Sequence, residues 1–65
     1  MWVEFMTVRN AYVAETWREL FAAEGLSVRV IPPIGRGEAA SMRDERTIYV
    51  PTGKAHVARE ILRKI

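Results

Sequence analysis

Leu20-Phe21-Ala22-Ala23-Glu24-Gly25-Leu26-Ser27-Val28-Arg29-Val30-Ile31-Pro32-Pro33 is the stretch that decides the fold. Gly25 supplies the left-handed position that ends a helix, because it alone carries no Cβ penalty there. Counting back from it makes Phe21 the C3 residue and Leu26 the C″ residue, the two side chains that meet in a Schellman stop. Leu26, Val28 and Val30 then alternate with Ser27, Arg29 and Ile31, which is strand periodicity. Pro32 and Pro33 end that strand, since neither can donate to a ladder. A helix therefore stops and a strand begins with almost no connection between them.

Working outward, Asn10 can cap the start of that helix. Val13, Ala14, Trp17, Leu20 and Phe21 fall on one stripe at helical spacing. Upstream, Trp2 to Val8 is rich in aromatic and β-branched residues and reads as a first strand. Strict alternation puts Val3, Phe5 and Thr7 on one face of it and Trp2, Glu4, Met6 and Val8 on the other. Downstream, residues 32–45 show no sustained period and read as a loop, with room for one helical turn from Glu38 to Met42. Thr47 to Val50 is a third strand and Pro51 ends it. Thr52 is the expected cap of a final helix, on which Ala58, Ile61, Leu62 and Ile65 give i, i+3, i+4, i+7 spacing.

The order βαββα predicts an α+β two-layer sandwich, a single domain over residues 1–65. Two helices cover one face of a three-stranded sheet, and strand three lies in the centre, which makes a ferredoxin-like half. A complete ferredoxin-like domain has a fourth strand beside strand one; no such strand follows helix two in this sequence, so the outer edge of strand one is expected to be free. That edge carries little of the charge or proline that blunts such edges, and a second copy of the chain is its simplest occupant. Alternation also places Trp2, Met6, Ile31 and Tyr49 beside Arg29 and Glu4 on the open face of the sheet. Trp2, Val3, Phe5, Met6, Ile31 and Tyr49 are accordingly the expected self-association residues. Two other readings of that face are scattered surface apolar residues and the stacking of nucleic-acid bases on Trp2 and Tyr49 flanked by Arg29.

Other function classes find less support. The sequence has no cysteine and one histidine, so the usual sulfur and imidazole metal sites cannot form within one chain, and no metal or cofactor is expected. Ten basic and eight acidic side chains give a formal net charge of +2, which permits a nucleic-acid partner without implying one. No apolar run approaches the ~20 residues that cross a bilayer, and Met1 to Val8 lacks a basic flank and a cleavage signal, so a cytoplasmic protein is expected. Gly35-Arg36-Gly37-Glu38-Ala39-Ala40 matches a loosened phosphate-binding fingerprint, but no full helix follows it. Gly35, Arg36, Gly37, Arg43 and Arg46 are the residues by which this loop would hold a partner or a small anion. His56, Ser41 and Asp44 supply the residue types of a catalytic trio with no nucleophile elbow around the serine, and no catalytic residue is assigned.

The chain resembles a short bacterial family of prokaryotic signal-transducing proteins. The resemblance rests on Ala14 early in helix one, on Leu20 and Phe21 before Glu24-Gly25-Leu26, on Ile48-Tyr49-Val50-Pro51, and on Ala58 with Ile61-Leu62. Val13 stands where family members often carry an acidic residue. The resemblance implies a small ferredoxin-like unit with a fold close to that of nitrogen-regulatory signal proteins. It also implies signalling through the loop between strands two and three, and it implies no catalytic residues.

Overall fold

A computed structural model of the chain describes residues 1–33 and 40–65. Five elements follow one another: β1 (Trp2–Val8), α1 (Ala11–Ala23), β2 (Arg29–Ile31), β3 (Arg46–Pro51) and α2 (Ala55–Lys64). The sheet has the order β1-β3-β2, and both pairings are antiparallel. The result is the expected α+β two-layer arrangement, with β3 central.

The helix stop forms as its residues require. The amide of Leu26 donates to the carbonyl of Phe21 at 2.9 Å and that of Gly25 to Ala22 at 3.0 Å, the two bonds of a Schellman motif, with Gly25 at φ +86°. At the other end of α1 the Asn10 side chain accepts the Val13 amide at 2.9 Å. The amide of Ala11, one of the donors a helix start leaves unused, donates to the carbonyl of Met42 at 2.9 Å and so ties the turn before β3 to the helix.

Phe21 is the centre of the core. It is fully buried and meets Phe5 edge-on at 6.1 Å and Trp17 at 5.8 Å between ring centroids. Leu26, Val50, Ala58 and Ile61 pack with it, and Ile48 on β3 is also fully buried. Sealing a side chain such as Ile48 or Val50 from water contributes about 1.5–3 kcal/mol.

The boundaries differ from the sequence expectation at the start of β2, at both ends of β3, which opens at Arg46, and at the start of α2. β2 is three residues long, because Leu26 is spent on the helix stop and Ser27 and Val28 lead up to the strand. Pro51 closes β3 as a paired residue opposite Trp2, and the Thr52 amide extends the pairing by donating to the Met1 carbonyl at 2.8 Å. Thr52 is therefore not a helix cap. α2 starts at Ala55 after Lys54, whose side chain makes no capping bond.

Candidate functional site

The register of β1 against β3 shows where its side chains go. Val3 faces Val50, Glu4 faces Tyr49, Met6 faces Ile48, Thr7 faces Thr47 and Val8 faces Arg46. Phe5 is an extra residue between Glu4 and Met6, a β-bulge. One inserted residue reverses the alternation beyond it. Val3 and Val8 consequently lie opposite buried residues of β3 on the helix-covered face, and Phe5 and Met6 pack against the core there. Trp2, Glu4 and Thr7 lie on the open face, where the hydroxyls of Thr7 and Thr47 are 3.4 Å apart.

This corrects the expected composition of the open face. Met6 was expected there and lies instead among the core side chains, because the bulge turns it inward; the same insertion moves Thr7 outward. Trp2, Ile31 and Tyr49 share the open face as expected, with Arg29 opposite Tyr49 and Ile31 opposite Thr47. The guanidinium of Arg29 reaches across the central strand to stand over the Trp2 ring, 5.0 Å from its centroid. A shallow groove of about 380 Å³ runs beside them, lined by Glu4, Ile31, Pro33, Glu45, Thr47 and Tyr49.

The two edges of the sheet are unlike each other. β2 offers three residues and is followed at once by Pro32 and Pro33. β1 offers seven, contains no proline, and among the described residues pairs on one side only. Trp2 and Val3 on it are each 40 % exposed. Glu4 and Arg9 are exposed, and among the described residues neither is in an ion pair.

Of the expected ligand-loop residues, the structure describes Arg43 and Arg46. Gly35, Arg36 and Gly37 lie outside the described residues, as do Glu38 and Ala39 of the turn expected over Glu38 to Met42. Arg46 is not a loop residue. It opens β3 on the helix-covered face, only 9 % exposed, and its guanidinium donates to the carbonyls of Ser41, Asp44 and Glu45 at 2.8–3.0 Å. Those three bonds lock the turn and turn the guanidinium toward the turn's own carbonyls. Arg43 remains exposed in that turn. The Ser41 hydroxyl accepts the Arg43 amide and the Asp44 carboxylate accepts the Ser41 amide, so both belong to the turn's own bonding. His56 is exposed on α2.

A second groove of about 640 Å³ lies between α1 and the sheet, with Val28 and Val30 in its floor and Tyr12, Glu15 and Arg18 on its rim. The side-chain hydrogen bond from Arg18 holds the Glu15 carboxyl below the usual carboxylate range. Among the described residues no group of three or more His, Cys, Asp or Glu side chains could hold a metal ion, and no helix is long and apolar enough to cross a membrane. No protein-family model matches the chain, and no curated protein or solved structure is significantly similar to it.

Thr7, Val8 and Arg9 belong to this edge although they were not among the expected interface residues. Their signal was present: Glu4 and Thr7, the polar residues of the strand, are three positions apart, a spacing that an unbroken strand cannot place on one face.

Proposed function

We propose that the chain is a non-enzymatic interaction module of the regulatory kind, working as a homodimer joined through β1. The carrying observation is the outer edge of β1, unpaired among the described residues, with Trp2 and Val3 each 40 % exposed upon it. An unpaired row of amides and carbonyls beside apolar side chains is a template for another strand. The opposite edge is short and closed by prolines, so it does not compete. A 65-residue chain also buries only about 60 % of its unfolded surface, and association is a common support for domains of that size. In this reading the open face, with Trp2, Tyr49 and Ile31, and the exposed turn around Arg43 stay available to a protein partner.

The stacked pair of Arg29 and Trp2, with Tyr49 in the same face, favours single-stranded nucleic acid as a second reading. Its weakness is that Arg29 already covers one face of the Trp2 ring. Light scattering over a dilution series tests the first reading. A mass of twice 7.4 kDa that persists into the micromolar range is expected, and a monomer throughout that range overturns it.

A further inference from the structure

Resting on the proposal that β1 joins two copies, we infer the register of the joint: residue i of one copy faces residue 11 − i of the other, so that Glu4 meets Thr7 and Val3 meets Val8. The argument starts from the bulge. Antiparallel neighbours share a face of the sheet, so open-face residues must meet open-face residues and helix-side residues must meet helix-side residues. In an unbroken strand this requires facing positions whose numbers sum to an even value. Phe5 breaks that rule in β1, because Glu4 and Thr7 share the open face although three residues apart.

Trying each register against the observed faces leaves one. With a sum of 11, Val3 meets Val8 and Phe5 meets Met6, all four on the helix-covered side, while Glu4 meets Thr7 on the open side. With a sum of 10, Trp2 meets Val8, Val3 meets Thr7 and Glu4 meets Met6, each an open-face residue against a core residue. With a sum of 9, Glu4 is set against Phe5; with 13, Met6 is set against Thr7; with 8, Glu4 meets the partner's Glu4 at close range. The two bulges also fall in the same window of the joint, two residues on each strand between the flanking Glu4–Thr7 pairs. Neither strand is then a residue longer than the other, and a two-fold axis can pass between them.

Charge and apolar surface both fit a second copy. In this register Glu4 lies diagonally across from the partner's Arg9, and symmetry makes two such contacts from four side chains that have no ion pair among the described residues of their own chains. On the other face, Val3, Phe5, Met6 and Val8 of the two copies form one apolar strip that carries each core across the joint and covers the exposed Val3. The occupant is therefore another β1, and the joined sheet has six strands.

Cysteine pairs read the register directly, since the chain has no cysteine of its own. Glu4→Cys with Thr7→Cys in one chain should give a disulfide-linked dimer under mild oxidation. The two positions are about 10 Å apart along their own strand and cannot bridge within it. Trp2→Cys with Thr7→Cys, which would face one another at a sum of 9, should remain unlinked. Charge exchange is the second readout. Glu4→Arg alone and Arg9→Glu alone should each raise the dissociation constant about ten-fold, and the double exchange should restore it to within about three-fold. Linking of the Trp2/Thr7 pair, or a dimer by mass in which neither the Glu4/Thr7 link nor the charge rescue appears, overturns the register and leaves the homodimer standing. A monomer by mass overturns both.

Discussion

The two edges of this sheet solve the same problem in opposite ways. β2 is short and runs straight into Pro32 and Pro33, residues that cannot extend a ladder. β1 is more than twice as long, and its one irregularity is a bulge that keeps four apolar side chains on the helix side while two polar ones stay outside. A bulge is one of the devices that turn an edge away from unwanted pairing. In the proposed joint it would also select, because only a strand interrupted at the same place matches it face for face. The difference teaches that two edges of one sheet can be limited by different means, β2 by its length and prolines and β1 by a bulge.

Both edges hang on Phe21, so its truncation is the largest expected effect. The ring touches Phe5 of β1 and packs with Leu26, which leads into β2. Phe21→Ala should cost about 3–5 kcal/mol, enough to unfold most molecules of so small a domain. The urea midpoint measured by circular dichroism checks this. A loss under 1 kcal/mol would show that the two halves of the sheet hold together without it.

The comparison itself is broken or kept by one substitution on each edge. Val3→Lys places a charge opposite Val8 of the second copy, twice by symmetry, and should raise the dissociation constant about 100-fold, which is ~2.7 kcal/mol. Ile31→Lys on the β2 edge should leave it within about two-fold. Sedimentation equilibrium on the two variants reads the contrast directly, and equal effects would remove the distinction between the edges. Val3 is the cleaner position for this test than Phe5 or Met6, because a charge at either of those would also have to enter the core.

These edges were not equally legible in the sequence. The helix stop at Gly25, the cap at Asn10 and the central place of β3 were all readable, since each depends on residues close in sequence or on the order of elements. The bulge was missed, because alternation is a rule about an unbroken strand and β1 obeys it only as far as Phe5; the three-residue spacing of Glu4 and Thr7 was its one signal. The consequence fell on the site: Met6 was assigned to the face it does not occupy, and Thr7, Val8 and Arg9 were left out of an edge they belong to. Arg46 failed for a different reason. A basic residue after a glycine-bearing loop suggests an anion, whereas its bonds run to the carbonyls of Ser41, Asp44 and Glu45, partners that carry no side-chain signature at all.

The smallest expected effect lies on the β2 side, where Glu15 and Arg18 pair on the rim of the larger groove. The hydrogen bond from Arg18 lowers the Glu15 carboxyl below its ordinary value and raises the Arg18 guanidinium. For a carboxyl depressed in the folded state, the stabilisation is present above the ordinary carboxyl value of 4.5 and is lost as the pH falls through the lower folded value. Both groups are solvent-facing, so the contribution is small and screened by salt. The expected outcome is that Glu15→Gln unfolds at a slightly lower urea concentration than the parent chain at neutral pH and at the same concentration once the pH has fallen below the folded value of the carboxyl, with the neutral-pH difference shrinking as salt is added. Measuring the urea midpoint on one pH series at low and high salt therefore sets the size of an ion pair that only decorates a helix.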